Sequence, residues 1–239
     1  MNSAGFAAGT LIHTDKGLVP IQDIKVGDRV LSRPEWSGNK ASTEYKHVSR
    51  TFCSGEDEII RLSCQKDSEY GDPDALRYFE FMTPNHPIWD QTLNDWIPAS
   101  KIEIGTLLSS IGNENNLRVL DVDIVWDSYT EGIGITYPIF NDESEIDFMV
   151  TFNNQGHKVH SNKFISDYYI SDTRDTRDTR VTKFDLSYSR EVFNNYENKS
   201  FAGNRKPIQV PVLNLEVEGF HTYFIGETGI WVHDTNAFN

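Results

Sequence analysis

Apolar residues along this chain recur with a period of two, in short runs broken by turn residues, and helical periodicity is weak throughout. Thr10-Leu11-Ile12-His13-Thr14 alternates, Asp15-Lys16-Gly17 reads as a turn, and Leu18-Val19-Pro20-Ile21 opens the next run. Val26-Gly27-Asp28 is a second turn, followed by Arg29-Val30-Leu31-Ser32. Tyr78-Phe79-Glu80-Phe81-Met82 is a further strand, and the β pattern resumes at Val210 and runs to Trp231. The pattern predicts an all-β protein.

One unit of that pattern occurs twice. Val19-Pro20-Ile21-Gln22-Asp23-Ile24-Lys25-Val26-Gly27-Asp28-Arg29-Val30 aligns without gaps onto Ile97-Pro98-Ala99-Ser100-Lys101-Ile102-Glu103-Ile104-Gly105-Thr106-Leu107-Leu108. Proline, isoleucine and glycine recur identically, and apolar residues match at the other inward positions. A polar turn precedes each copy, Asp15-Lys16-Gly17 and Leu93-Asn94-Asp95. Two copies of one β unit are expected, each kinked at Pro and turning at Gly, related by a pseudo-two-fold axis.

Residues 111–209 differ in character. This stretch is polar, rich in Asn, Asp and Ser, and carries a three-fold Asp-Thr-Arg tandem over 172–180. Alternating charge copied in tandem reads as a solvated, mobile loop, while flanking aromatics such as Tyr168, Phe184 and Tyr196 point to some folded structure around it. His157-Lys158-Val159-His160 has ligand-like spacing but lacks a nearby cysteine partner, so no zinc site is expected.

Charge narrows the partners. The formal net charge is −14, from 22 basic and 36 acidic residues, a field that repels a phosphate backbone. Nucleic acid is therefore not expected. No apolar run reaches the roughly 20 residues of a bilayer span, so no membrane partner is expected either. Cys53 and Cys64 are expected to flank a hairpin turning near Ser54-Gly55-Glu56-Asp57. Cys64 would then lie roughly 20 Å beyond the turn, too far for a disulfide. Both should be free, inert thiols.

Several segments together resemble the Hedgehog/intein (Hint) family, closest to its bacterial intein-like and pretoxin members. They are Gly5-Phe6-Ala7-Ala8-Gly9-Thr10 with the turns that follow it, Thr83-Pro84-Asn85-His86, Val212-Leu213-Asn214-Leu215-Glu216-Val217, His221-Thr222-Tyr223-Phe224 and Trp231-Val232-His233. The resemblance implies a horseshoe-shaped β fold split as 4–110 and 210–236 around an insertion of unknown role over 111–209. Residues 1–3 and 237–239 would be short flanks. It implies autoprocessing: a first-position cysteine attacks the preceding carbonyl, and a terminal asparagine cyclises and breaks its own following bond. The substrate is the chain's own flanking polypeptide, with no cofactor and no metal, and a monomer suffices. Holding the groups in contact supplies most of the rate, so both ends must meet.

On that resemblance, Thr83 holds the scissile peptide and His86 protonates the leaving amine. His221 assists cyclisation and His233 polarises the terminal carbonyl. The nucleophiles are missing. One register puts Ala4 where cysteine belongs, with Asn236 as the cyclising residue and Ala237 as a replaced downstream nucleophile. Strict spacing instead puts Gly5 in the cysteine slot, Asp234 in the asparagine slot and Thr235 after it. Either way the chain as it stands should be inactive in splicing or self-cleavage. The rival expectation is a degenerate, non-catalytic Hint spacer of a secreted toxin. A homing-endonuclease reading of the insertion is disfavoured by its acidity and by its lack of an acidic-tipped helical repeat.

Overall fold

The computed structural model describes residues 4–72, 74–112, 116–128, 130–136, 148–161 and 206–234. The tandem at 172–180 and the positions Thr235, Asn236 and Ala237 lie outside the described residues.

The chain runs through β1 (Phe6–Ala7), β2 (Leu11–Thr14), β3 (Gly17–Pro20), β4 (Arg29–Ser32), β5 (Glu44–Glu58) and β6 (Ile60–Lys66). It continues as β7 (Tyr78–Met82), β8 (Pro87–Asp90), β9 (Asp95–Pro98), β10 (Leu107–Leu108) and β11 (Leu117–Ile124). After β12 (Trp126–Asp127), β13 (Ile133–Thr136), β14 (Phe148–Asn153) and β15 (Gly156–Ser161) come β16 (Gln209–Val217), β17 (Thr222–Ile225) and β18 (Ile230–His233). The only helical pieces among the described residues are short 3-10 turns.

Two compact units result. The first takes the described residues within 4–124, 152–157 and 209–234, and the second those within 125–151 and 158–208. β12, β13, β14 and β15 form a four-stranded sheet in that order. In the second unit the chain enters and leaves as a short ladder. Ile208 N–H donates to the Val125 carbonyl at 2.8 Å and Asp127 N–H to Lys206 at 2.9 Å.

Hydrogen bonding in the first unit follows the order β10-β11-β6-β7-β1-β16-β5-β4-β2-β17-β18-β8, and a β8–β10 pairing closes the path. β3 joins β2 and β9 joins β8 outside it. Read outward from the β7–β1 pairing, the two directions match strand for strand: β1 with β7, β16 with β6, β5 with β11, β4 with β10, β2 with β8, β17 with β18. This is the expected pseudo-two-fold, and the repeat carries it in atomic detail. A 3-10 turn follows Pro20 (φ −59°, ψ 140°) and another follows Pro98 (φ −55°, ψ 137°). Gly27 (φ +91°) donates to the Val48 carbonyl at 2.9 Å, and Gly105 (φ +85°) donates to the Val119 carbonyl at 2.8 Å. Both glycines sit where a side chain would strain the backbone. Paired residues fill one core: Ile12 and Ile88, Ile24 and Ile102, Val30 and Leu108, Val48 and Val119 are all buried.

The hairpin expected near residues 54–57 is not formed. β5 runs through these residues, because β16 pairs alongside it from Gln209↔Glu58 to Val217↔Val48 and takes up its backbone groups. Gly55, with φ +84°, falls where that ladder shifts register between Pro211 and Leu213. The polar side chains stay in solvent and the glycine is absorbed as a bulge rather than a turn. The single buried residue Ile59 then carries the chain into β6, which pairs with β7 and β11 instead of β5. Cys53 is exposed, Cys64 is buried, and both are free.

Candidate functional site

Two turns related by the pseudo-two-fold frame the N-terminal part of the site. Thr10 N–H closes one on the Ala7 carbonyl at 3.3 Å, and His86 N–H closes the other on the Thr83 carbonyl at 3.1 Å. β1 lies between β16 and β7, with Phe6 opposite Leu213 and Met82, so residues 4 and 5 enter at the seam between the two halves. Thr83, one residue past β7, grips Gly5 in both directions. Gly5 N–H donates to Thr83 Oγ1 at 3.1 Å, and Thr83 N–H donates to the Gly5 carbonyl at 3.0 Å. Ala4 is buried.

His86 stands beside this pair, its ring 4.1 Å from that of Phe6 between centroids. It is fully buried, and neither ring nitrogen has a hydrogen-bond partner of good geometry among the described residues. Burial is the main force pushing its imidazole down to about 3; the His233 ring adds to it, and the approach of the His233 backbone opposes it. His86 is therefore neutral at physiological pH. It can accept a proton or share one, but it holds no charge at rest.

The C-terminal part is built by β17 and β18, paired from Thr222↔His233 to Ile225↔Ile230. Asp234 follows directly and is buried. Its N–H donates to the His221 carbonyl at 2.9 Å, and its Oδ2 accepts from Val217 N–H at 2.7 Å. His221 Nδ1 is 3.4 Å from the same oxygen, and the His221 backbone is held left-handed at φ +54°, an unusual state for a residue with a side chain. His233 directs Nε2 to Glu35 Oε2 at 2.6 Å and sets Nδ1 3.6 Å from Asp234 Oδ1. Burial raises the Asp234 carboxyl against the opposing pull of Val217 N–H and the two histidines.

Asn214 joins the two parts. Its Nδ2 donates to the Ala4 carbonyl at 3.1 Å and to the Asp234 carbonyl at 2.9 Å. Its Oδ1 accepts from Tyr223 Oη at 2.6 Å and Leu215 N–H at 2.8 Å, which fixes the amide's orientation. One buried amide thus holds the carbonyls of Ala4 and Asp234, 230 residues apart in sequence. Ala4, Gly5, Thr83, His86, His221, His233 and Asp234 all fall in or beside this assembly. Asn214, Glu35 and Tyr223 are site residues that local sequence pattern does not single out. An asparagine between Leu213 and Leu215 in a strand that also buries Val212 and Val217 was the available signal, since a buried amide must find partners.

The peptide with both ends held is Ala4–Gly5, its carbonyl by Asn214 and its nitrogen by Thr83. A Cβ added at Gly5 would stand 2.9 Å from the Leu213 carbonyl oxygen and 3.2 Å from Val212 Cβ. A side chain there requires the backbone of β1 or β16 to shift, because the nearest atom belongs to the main chain and cannot swing aside.

His157 Nδ1 bonds the Ala8 carbonyl at 2.8 Å, and His160 Nε2 lies 3.4 Å from Thr151 Oγ1. Among the described residues no group of three His, Cys, Asp or Glu side chains could hold a metal ion.

The fold and this meeting of Ala4 with Asp234 define an all-β, internally duplicated domain with a buried polar centre. The pretoxin HINT domain family matches residues 11–126, and the chain carries a Hint-type domain. Similar solved structures include the bacterial intein-like domain from Clostridium thermocellum, at 19% identity and a TM-score of 0.49, covering 98% of this chain and 99% of that chain. They also include the Ssp DnaB mini-intein variant M86, at 12% identity and a TM-score of 0.48, covering 98% and 95%. A DnaB intein from Synechocystis sp. PCC 6803 is similar at 11% identity and a TM-score of 0.45, covering 98% and 99%. No curated protein matches the chain.

Proposed function

We propose that this chain is an autoprocessing-type Hint domain acting on its own flanking polypeptides, silent as it stands, with junctions at Ala4–Gly5 and Asp234–Thr235. The observation that carries this reading is the single Asn214 amide donating to the Ala4 and Asp234 carbonyls. These are the carbonyls that strict family spacing makes scissile. A cysteine at position 5 would attack the Ala4 carbonyl carbon through its Sγ. The Ala4–Gly5 C–N bond breaks as the thioester forms, and the freed nitrogen takes up the thiol proton. Asn214 Nδ2 meets the developing oxyanion, Thr83 Oγ1 orients the nitrogen, and neutral His86 is the nearby proton carrier. At the other end an asparagine at 234 would cyclise onto its own carbonyl, with His233, oriented by Glu35, beside it. Glycine has no nucleophile, and a carboxylate is a poor attacker of an amide near neutral pH. Both steps are therefore silent in the present sequence. We read most of 125–208 as inserted between the halves of this domain.

The crowding of a Cβ at Gly5 favours a second reading, a degenerate Hint spacer in which glycine has allowed β1 and β16 to close up. The test restores the groups. Gly5→Cys should release the N-terminal flank on addition of thiol, and Asp234→Asn should cleave before Thr235, both read by mass spectrometry. Ala4→Cys examines the other N-terminal register, in which Ser3–Ala4 is cut, and Asn236→Ala the other C-terminal one. No cleavage from any restored variant supports the spacer.

A further inference from the structure

We propose that the short segment Phe152–His157 is a positioning element for the N-terminal junction, with His157 its key residue, working through the turn at Ala8–Gly9; this rests on the autoprocessing reading above. The segment lies far along the chain yet belongs to the first unit. His157 Nδ1–H donates to the Ala8 carbonyl at 2.8 Å across 149 residues of sequence. Gln22 bridges the same place: its Oε1 accepts from Gly9 N–H at 2.8 Å, and its Nε2 donates to the Gln155 carbonyl at 3.0 Å. Phe81, the β7 residue two before Thr83, packs edge-on against the His157 ring at 4.7 Å and the Phe152 ring at 5.6 Å.

The backbones themselves touch. A Cβ on Gly9, which sits at φ +93°, would stand 2.8 Å from both Gly156 Cα and His157 N, so only glycine admits the segment this closely. The need for such a clamp follows from β1. That strand is two residues long, with Phe6 and Ala7 each held by few ladder bonds, too little to fix Gly5 against Thr83 and Asn214. Downstream, the Ala7–Thr10 turn could swing as a lever. His157 and Gln22 tie it on one side while Thr83 and Asn214 tie residues 4 and 5 on the other. A displacement of about 1 Å at a reacting carbonyl can cost about a hundredfold in rate, so such a tie bears on chemistry.

The experiment uses the chain as it is, without requiring cleavage. Amide hydrogen exchange is measured by NMR in His157→Ala, His157→Asn and Gln22→Ala, alongside thermal unfolding. Asparagine places an amide where the Nδ1 donor stood. In His157→Ala the Gly5, Gly9 and Thr10 amides should each lose about tenfold in protection, while Val217 and Asp234 keep theirs. His157→Asn should restore Gly5, and Gln22→Ala should expose Gly9 and Gly5 together. Unchanged Gly5 protection in both alanine variants overturns the proposal, as does equal loss at Val217 and Asp234, which would mean general loosening. If His157→Ala does not fold, Gln22→Ala with His157→Asn decides on the same amides. In a Gly5→Cys background, His157→Ala should slow thiol-induced release of the N-terminal flank by about tenfold or more and His157→Asn should recover it. Release that ignores residue 157 counts against the clamp. A Gly5→Cys chain that never cleaves counts against the autoprocessing reading alone, because the exchange experiment still decides the clamp.

Discussion

Replacing Asn214 with leucine keeps the approximate volume and removes every polar contact at the centre of the site. The Ala4 and Asp234 carbonyls lose their shared donor, and Leu215 N–H and Tyr223 Oη lose their acceptor. Each buried group left unpaired costs about 1–3 kcal/mol, and partial relaxation brings four such groups to about 4 kcal/mol. That is a large share of the roughly 5–15 kcal/mol typical of a domain. Urea unfolding followed by tryptophan fluorescence reads it well, since Trp36, Trp89, Trp96 and Trp231 all lie in the first unit. Asn214→Asp adds a second signature. A carboxylate facing two carbonyls must keep its proton to donate, so its folded-state pKa is raised. Its stability should be best below the ordinary carboxylate range of about 4 and fall as pH rises. A loss under about 1 kcal/mol in Asn214→Leu, or an Asn214→Asp deficit independent of pH, would refute the bridging role.

Three further outcomes follow from the same geometry. Burial raises the Glu80 carboxyl to about 8, so the fold holds a proton that the unfolded chain releases above about 4.5; wild-type stability should fall relative to Glu80→Gln by up to about 1.4 kcal/mol per pH unit between these values, and parallel urea midpoints from pH 5 to 8 would count against it. His86 runs the other way, because its lowered value makes the unfolded chain the better proton binder below 6.5; stability should drop as pH falls toward 3, and His86→Leu should flatten that acid limb in thermal melts. Gly27→Ala and Gly105→Ala should cost about 1 kcal/mol each and agree closely, since both positions combine matching φ values with little or nothing nearby to meet a Cβ; a large inequality by urea unfolding would deny the duplicated geometry.

Strand periodicity and the Pro–Ile–Gly repeat made the β class and the duplication legible, because local backbone demands at Pro20, Gly27, Pro98 and Gly105 are written in residue type. Thr83 and His86 were legible through their motif and lie beside Gly5 and Phe6. The bridging role of Asn214 was not, because it arises only when β16 enters between β1 and β5, a long-range pairing invisible to local pattern. The same holds for Gly55, which reads as a turn until a partner strand is known. Glu35 carries no local mark of the bond it makes to His233, which only the tertiary fold brings to it. His157 suggested, at most, a metal ligand, and its bond to the Ala8 carbonyl has no trace in the residues around it.

The chain crosses between the two halves three times, the last time at the β17–β18 turn. Ile59 makes the first crossing alone, whereas the second runs from Ile124 to Gln209, and those two residues pair with Ile60 and Glu58 on either side of Ile59. The last of the described strands to be synthesised, β16 to β18, therefore fill a slot already framed by earlier chain. Asn214 arrives with it, so the Ala4 carbonyl gains its donor only when the end of the domain has emerged and docked. The polar centre is in this way scheduled by the ribosome: a nascent chain stopped before β16 presents the Ala4 carbonyl with no Asn214 amide to meet it.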